Sequence, residues 1–175
     1  MAVPDSLPLT HSWPKWWSKF EIYGTEFDGP ALVVDLDTAF LDELKILPEH
    51  ENQAIFLRDP WRDGSRNPER LGGGFSYLPK WARLRLWNMF CEQKIKPEGD
   101  DQPFLHSVFG DIALRWQDHY LDQVMSYKAH VKWLGLTDET KVVFWHGQPR
   151  PWNPDLTEPW IPRFNSETKQ PSENV

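Results

Sequence analysis

Sixteen prolines are distributed along the 175 residues of this chain. Because proline lacks a backbone N–H and clashes with the preceding helical turn, this frequency leaves little room for long helices. Apolar residues make up 39% of the sequence and charged residues 26%, which is enough apolar material for a buried core. The length is typical of one globular domain. We therefore predict a globular chain built from short helices and strands.

Composition also excludes several classes of protein. The net charge is −7, whereas a protein that follows a phosphate backbone needs a surplus of basic residues, so nucleic acid is disfavoured as a partner. The single cysteine, Cys91, excludes a disulfide framework and a multi-cysteine zinc site, and it fits a reducing compartment. The N-terminal segment shows no signal-peptide pattern, and no apolar run reaches the length of a membrane span. We expect a cytoplasmic protein without a membrane span.

Apolar runs alternate with segments of helical periodicity along the chain, which is typical of an α/β fold. The run at 31–34 has no polar interruption, as in a strand of a parallel sheet that is covered on both faces. The predicted architecture is a mixed, mostly parallel sheet flanked by helices. We predict strands near 31–35, 54–58, 72–78 and 141–145, and helices near 39–47 and 80–92.

Two carboxylates follow the first apolar run, at Asp35 and Asp37. In open α/β sheets, ligands bind at the edge where such strands end. Residues two apart in an extended segment point the same way, and carboxylate oxygens suit a hard divalent cation such as Mg²⁺ or Mn²⁺. The alternative is that both acids cap the following helix or face solvent. The motif alone leaves these alternatives open.

A histidine and a basic residue follow the last apolar run, in the segment His146-Gly-Gln-Pro-Arg-Pro-Trp152. His146 at the end of that strand would complete a ligand set of two aspartates and one histidine, which suits Mn²⁺. Gly147 leaves space for a phosphate to approach the backbone, and Arg150 could pair with phosphate oxygens. The alternative is a proline-rich turn in which the histidine only caps the strand.

Seven motifs in a fixed order carry a family resemblance, and together they cover roughly residues 13–162. They are Trp-Trp-Ser-Lys-Phe (16–20), Val-Val-Asp-Leu-Asp-Thr (33–38), Phe-Leu-Arg-Asp (56–59), Gly-Gly-Gly-Phe-Ser-Tyr (72–77), Gly-Asp-Asp-Gln (99–102), Ser-Tyr-Lys-x-His (126–130) and Phe-Trp-His-Gly-Gln-Pro-Arg-Pro-Trp (144–152). The series resembles metal-dependent glycosyltransferases with the A-type nucleotide-diphospho-sugar fold, most closely family-eight-like enzymes of phages and bacteria. The resemblance implies transfer of a sugar from a nucleotide-sugar donor, a UDP-sugar, to a hydroxyl of a glycan, protein or other acceptor.

The resemblance also implies roles for individual residues. Asp35 and Asp37 match the element that holds Mn²⁺, or Mg²⁺, against the donor diphosphate, and His146 matches the third metal ligand. The other matches are Gly147 and Arg150 for contacts to the diphosphate, Gly73 and Gly74 beside the donor sugar, Asp101 and Gln102 as the catalytic pair near donor sugar and acceptor, and Lys19 as a basic residue on the helix before the metal strand.

The chain departs from this family at its N-terminal end. Two or three βα units that bind the nucleoside precede the Asp-x-Asp strand in the family, whereas that strand begins near residue 31 here. The chain therefore matches the C-terminal two-thirds of the fold, with residues 1–165 as a glycosyltransferase-like catalytic domain and residues 166–175 as a polar tail. We expect the uncovered sheet edge to associate with a second copy or with a partner chain.

Two rival interpretations remain open. One is a phosphatase of the haloacid-dehalogenase type, which also has Asp-x-Asp after an apolar strand, with the first Asp as nucleophile; Ala39 stands where that motif wants Thr or Val. The other is an inactive, truncated relative that serves as a binding or structural module. The missing nucleoside-binding part favours the module, whereas the presence of Asp35, Asp37, His146 and Arg150 together favours the enzyme.

Overall fold

The computed structural model describes residues 10–13, 15–58 and 70–161. Short strands and short helices alternate along this part of the chain, and the strands form two sheets. The chain divides into unit 1, Met1–Val34 and Lys45–Leu121, and unit 2, Asp35–Leu44 and Asp122–Val175. The strands are β1 (Ala31–Val34), β2 (Thr38–Phe40), β3 (Ile55–Arg58), β4 (Leu71–Leu78), β5 (Leu114–Arg115), β6 (Val124–Ser126) and β7 (Val142–Phe144). The α-helices are α1 (Phe20–Gly24), α2 (Lys80–Glu92), α3 (Gln102–Phe109), α4 (Trp116–His119) and α5 (Lys132–Leu134), and further short helical turns lie at Lys15–Lys19, Pro48–His50 and Tyr127–Val131.

The mixed α/β class is confirmed, but the prediction of a mostly parallel sheet is wrong. Among the described strands, β4 pairs antiparallel with β1 and with β3, and β2 pairs antiparallel with β7. Parallel pairing occurs only between β3 and β5 and between β6 and β7 in this part of the chain. The polar tail predicted at 166–175 lies outside the described residues.

The sheet of unit 1 has the strand order β1-β4-β3-β5. The first apolar run forms β1, as predicted, but its side chains alternate between the core and solvent: Ala31 and Val33 are buried, while Leu32 is 46% exposed. An edge strand in antiparallel pairing packs one face on the core and leaves the other in water. An uninterrupted apolar run was therefore insufficient evidence of a strand covered on both faces.

The glycine-rich strand β4 contains an irregularity at its centre. Its register with β3 shifts between Phe56, which lies opposite Ser76, and Leu57, which lies opposite Gly72. The residues between these two partners, 73–75, have no partner in β3 and form a bulge on that side of β4. Bulges of this kind redirect the chain locally and are frequent beside functional sites.

An aromatic core holds unit 1 together. Phe20 from α1 lies 5.1 Å from Phe90 of α2 and 5.7 Å from Phe104 of α3, measured between ring centroids. Helix α2 spans the predicted range, and the side chain of Arg83 is buried whereas Trp81 and Leu84 are exposed.

A buried arginine explains the orientation of α2. The Arg83 guanidinium donates hydrogen bonds to the carbonyl oxygens of Tyr23, Thr25 and Phe27, at 3.0, 2.6 and 2.8 Å. These carbonyls lie at and beyond the end of α1, where a helix leaves acceptors without intrahelical donors. Burial lowers the pKa of Arg83, and the neighbouring Asp28 raises it. The side chain therefore acts as a polar clamp inside an apolar core.

The sheet of unit 2 has the order β2-β7-β6. The helix predicted near 39–47 is absent from the structure: Thr38–Phe40 form β2, and residues 41–47 are irregular. The ladder with β7 continues past the strand, since the Leu41 amide donates to the Lys141 carbonyl at 2.7 Å. Pairing with a distant strand overrode a local pattern of helical spacing, because packing against a partner strand decides such segments.

Three aromatic rings support the sheet of unit 2 from one side. The ring of Tyr127 stacks on Trp145 at 5.3 Å between centroids, and Trp160 packs against both rings. The Tyr127 hydroxyl donates to Glu158 Oε1 at 2.5 Å. Burial and the Glu158 carboxylate raise the pKa of Tyr127 to about 12, so that the phenol stays protonated and keeps donating.

In the described ranges, no helix has both the length and the apolar composition needed to cross a bilayer.

The contact between α1 and α2 generates a first prediction, at Gly24. A Cβ at this position would lie 2.5 Å from Cε2 and 2.6 Å from Cδ2 of the rigid Trp87 indole. We expect Gly24→Ala to lower the free energy of unfolding by about 1–3 kcal/mol, because overpacking forces the helices apart. Urea denaturation followed by circular dichroism measures this change.

A double-mutant cycle tests the cause. In a Trp87→Leu background the indole is gone, so Gly24→Ala should cost clearly less than it does in the wild type. Equal costs in the two backgrounds would show that the indole is not what the alanine meets.

Candidate functional site

The pairing of β2 with β7 brings two distant segments of unit 2 to one edge of its sheet. Thr38 lies opposite Phe144 in the antiparallel register, so the residues just before β2 run alongside those just after β7. The Asp37 carbonyl accepts a hydrogen bond from the Trp145 amide at 2.9 Å. The acidic motif and the segment that begins at His146 are therefore backbone neighbours.

Asp37 is the most tightly held acid of this edge. It is 8% exposed, and its Oδ2 forms an ion pair with Nη1 of Arg150. The chain turns at Gly147, where φ is +64°, a conformation that favours glycine. A Cβ at Gly147 would have no heavy atom within 4 Å. The turn thus returns the guanidinium to the acidic motif and leaves open space beside the backbone.

His146 is fixed by a serine on the neighbouring strand. The imidazole is buried, and its Nε2 lies 2.9 Å from the Ser126 hydroxyl oxygen. Ser126 ends β6, which runs parallel to β7 and sets Ser126 opposite Phe144. The same hydroxyl oxygen accepts from the Ala129 amide at 3.1 Å. Ser126 therefore sets the orientation of the His146 ring.

A second histidine binds the backbone of the same serine. The Ser126 amide donates to His130 Nδ1 at 3.1 Å, which requires that this nitrogen carry no proton. Burial lowers the pKa of His130, against the opposing effect of Asp122, and so favours the neutral ring. Sequence reasoning gave Ser126 no role of its own. The signal that could have identified it is the spacing Ser-Tyr-Lys-x-His, in which serine and histidine lie on one short turn.

The predicted metal ligands fit a divalent cation by chemistry, but they do not form a ready-made cage. Asp35, Asp37 and His146 supply carboxylate oxygens and an imidazole, which suit Mn²⁺ or Mg²⁺. Within the described ranges, however, no group of three or more His, Cys, Asp or Glu side chains is arranged to hold a metal ion. The positive group on Asp37 is the Arg150 guanidinium. In this structure the positive partner of Asp37 is therefore a side chain of the protein and not a metal ion.

Three of the other predicted site residues meet in unit 1. Lys19 Nζ lies 2.9 Å from Asp101 Oδ2 and donates to the Gly73 carbonyl at 3.2 Å. The two charged side chains are only 11% and 6% exposed. A Cβ at Gly73 would lie 3.0 Å from Lys19 Nζ and 3.1 Å from Asp101 Oδ2. The glycine therefore makes room for a buried ion pair.

The loop before α3 positions Asp101. The indole nitrogens of Trp16 and Trp17 both donate to the Gly99 carbonyl, at 2.8 and 3.1 Å. Asp100 pairs with Arg70 at 2.9 Å. Two adjacent tryptophans and an ion pair thus hold this short loop, and Asp101 follows it directly.

The remaining predicted residues of unit 1 have simpler environments. Gln102 is the first residue of α3, and its backbone N–H donates to Asp100 Oδ1 at 3.1 Å. Gly74 lies in the bulge of β4 and is half-buried. The sequence-predicted residues therefore form two clusters, one in each unit, and their convergence on one substrate stays a prediction.

Two solved structures are similar in fold to this chain. The crystal structure of the glycosyltransferase GlyE from Streptococcus pneumoniae TIGR4 has a TM-score of 0.52 and 16% sequence identity, over 83% of this chain and 40% of that chain. The crystal structure of the galactosyltransferase LgtC in complex with donor and acceptor sugar analogues has a TM-score of 0.53 and 15% identity, over 82% of this chain and 65% of that chain. No protein-family model matches the sequence, and no curated protein matches it.

These similarities establish the fold. The chain has a glycosyltransferase fold of the nucleotide-sugar transferase type, as the sequence resemblance implied. It spans less than two thirds of the length of either structure. The assignment to the family-eight-like branch stays a prediction.

The buried pair in unit 1 generates a second prediction. Asp101→Asn would remove the carboxylate that lies 2.9 Å from the nearly buried Lys19 ammonium, and loss of one partner of a buried ion pair destabilises proteins by about 3–5 kcal/mol. The double variant Lys19→Met/Asp101→Asn removes both charges and should recover part of that loss. Chemical denaturation of the two variants measures the difference.

An exposed ion pair of the same unit provides the control. Lys80 Nζ and Asp28 Oδ1 are 2.7 Å apart, at 55% and 90% side-chain exposure. Asp28→Asn should leave the free energy of unfolding almost unchanged, because solvent screens such pairs. If the double variant in the core is less stable than Asp101→Asn alone, Lys19 stabilises the fold by contacts other than this pair.

Proposed function

We propose that this chain acts on nucleotide-sugars as a glycosyltransferase, moving a sugar from a nucleoside-diphosphate donor to an acceptor hydroxyl with the help of Mn²⁺ or Mg²⁺. The donor is a UDP-sugar in this proposal, and the acceptor is a glycan, a protein or another hydroxyl-bearing molecule. The observation that carries the proposal is the joining of Asp37, His146 and Arg150 at one sheet edge within a glycosyltransferase fold.

In this proposal the unit 2 edge binds the diphosphate. Asp35, Asp37 and His146 would hold the divalent cation, and Ser126 keeps the His146 ring oriented for that task. A cation held there would supply Lewis-acid stabilisation of the leaving diphosphate. Arg150 donates charge-assisted hydrogen bonds to phosphate oxygens. The space beside Gly147 lets a phosphate approach the backbone amides of the turn.

The unit 1 cluster orients the sugar and the acceptor in this proposal. The Lys19 ammonium holds Asp101 Oδ2, so Asp101 is suited to accept a hydrogen bond from a sugar hydroxyl rather than to act as a strong base. Gln102 would contribute amide donors and acceptors at the start of α3, and Gly73 and Gly74 would admit the sugar beside the bulge of β4. Catalysis then rests on orientation of the reactants more than on proton transfer.

A second candidate is a module that binds nucleotide-sugars without transferring the sugar. The observation in its favour is that no group of three or more His, Cys, Asp or Glu side chains among the described residues is arranged to hold a metal ion. A partner chain or a second copy that covers a sheet edge fits either candidate. The phosphatase alternative has less support, because the structural neighbours are glycosyltransferases. The cytoplasmic location remains a prediction from the sequence.

Binding of a diphosphate provides a third prediction. We expect UDP to bind in the presence of Mn²⁺, and we expect Asp37→Asn to reduce that affinity by at least tenfold, because loss of one charged ligand removes more than about 1.4 kcal/mol. Isothermal titration calorimetry with UDP, with and without Mn²⁺, measures this effect. UDP binding of equal strength in wild type and Asp37→Asn would contradict the proposed site.

A matched control lies five residues further along the same unit. Asp42, whose side chain is 64% exposed, pairs with Lys141 at 2.9 Å, and Asp42→Asn removes the same charge as Asp37→Asn. It should leave UDP affinity within twofold of the wild type. An assay for UDP released from a panel of UDP-sugars, with and without simple acceptors, then separates the enzyme from the binding module. The enzyme produces UDP from a UDP-sugar, whereas the module binds UDP but produces none.

A further inference from the structure

We propose that the Arg150 guanidinium competes with the divalent cation for the Asp37 carboxylate. Arg150 pairs with Asp37 until a diphosphate binds and replaces Asp37 as its partner. This inference rests on the proposed function and assigns Arg150 two alternative partners, a carboxylate of the protein and a phosphate of the substrate. The unit 2 edge then takes up the cation together with its diphosphate far better than it takes up the cation alone.

The competition follows from the environment of Asp37. Its side chain is 11% exposed, so few water molecules reach the carboxylate. In such surroundings a guanidinium and a divalent cation on one carboxylate repel each other strongly, because the local dielectric screens them little. The Asp37 carboxylate therefore accepts one of the two positive partners fully and not both. In this structure the accepted partner is Arg150.

Arg150 is able to leave without disturbing the fold. Its side chain is 36% exposed, in contrast to the nearly buried carboxylate that it contacts. It lies in an irregular segment after β7, beyond the turn at Gly147, and no strand pairing depends on it. Its guanidinium is equally suited to phosphate, since both ligands accept two parallel hydrogen bonds. A diphosphate at this edge would thus replace Asp37 as the partner of Arg150.

Linkage makes this exchange reciprocal. If the diphosphate removes a competitor of the cation, it raises the affinity for the cation, and the cation raises the affinity for the diphosphate by the same factor. Arg150 contributes to this coupling only if it contacts Asp37 in the absence of ligand and phosphate in its presence. A residue that only bound phosphate would have no effect on binding of the cation alone.

The test therefore measures Mn²⁺ alone and UDP separately, on the full chain. We expect Arg150→Ala to bind Mn²⁺ alone roughly tenfold more tightly than wild type, because a hydrogen-bonded charge partner of Asp37 is removed. The same variant should bind UDP at saturating Mn²⁺ roughly tenfold more weakly, because a phosphate contact is lost. Electron paramagnetic resonance of unbound Mn²⁺ gives the first constant, and calorimetry gives the second.

Three further variants separate specific competition from a general effect of charge. Lys141→Ala removes a positive charge from the same unit, where Lys141 pairs with Asp42, and it should change Mn²⁺ affinity by less than twofold. Arg150→Lys retains the charge without the planar fork, so its Mn²⁺ affinity should fall between those of wild type and Arg150→Ala. Adding Asp37→Asn to Arg150→Ala should abolish the gain.

The outcomes are distinguishable. Equal or weaker Mn²⁺ binding by Arg150→Ala, in a protein whose Mn²⁺-dependent UDP binding needs Asp37, overturns the competition and leaves the proposed function standing. A similar gain in Lys141→Ala also overturns it, because the effect is then general electrostatics. Absence of Mn²⁺ binding in wild type and in every variant overturns both the competition and the proposed metal site. Opposite shifts for Mn²⁺ and UDP in Arg150→Ala support the proposal.

Discussion

The antiparallel pairing of β2 with β7 is the interaction on which the candidate site of unit 2 depends. It aligns the Asp37 carbonyl with the Trp145 amide and continues to Leu41 and Lys141. Both ends of the segment 37–41 are therefore fixed by hydrogen bonds to a distant part of the chain. Without this ladder, Asp37 and His146 would have no reason to share an edge. β6 adds Ser126 on the other side of β7 and so orients the His146 ring. One strand, β7, thus supports both halves of the site.

The candidate cluster of unit 1 depends on a different device, the bulge in β4. The register shift between β3 and β4 leaves residues 73–75 without partners in β3, and Gly73 there lies beside a buried ion pair. A Cβ at this position would lie 2.8 Å from Leu105 Cδ1 and would crowd Lys19 Nζ and Asp101 Oδ2. Irregular pairing, the absence of a Cβ and a buried charge pair are therefore consequences of one local arrangement.

The sequence predicted the elements of this fold better than their partners. The ranges of β1, β3, β4, β7 and α2 agree with the structure, because apolar runs and helical spacing are local signals. Parallel or antiparallel pairing is a property of two segments, and β1 shows that an apolar run alone does not distinguish them. The helix predicted near 39–47 was wrong for the same reason, because pairing of this segment with β7 overrides its helical spacing. Helical spacing alone also does not indicate that a charged residue such as Arg83 lies inside the core, where it finds three carbonyl acceptors.

The two candidate clusters differ in the solvent exposure of their charged side chains, a property that the spacing of residues in the sequence does not indicate. Both clusters neutralise a nearly buried carboxylate with a cation from a distant part of the chain, Lys19 for Asp101 and Arg150 for Asp37. Lys19 is itself 11% exposed, so its removal from Asp101 requires burial of an unpaired charge or opening of the core. Arg150 is 36% exposed and reaches solvent or a ligand without either cost. The first pair is therefore built to hold its geometry, and the second is built to exchange its partner.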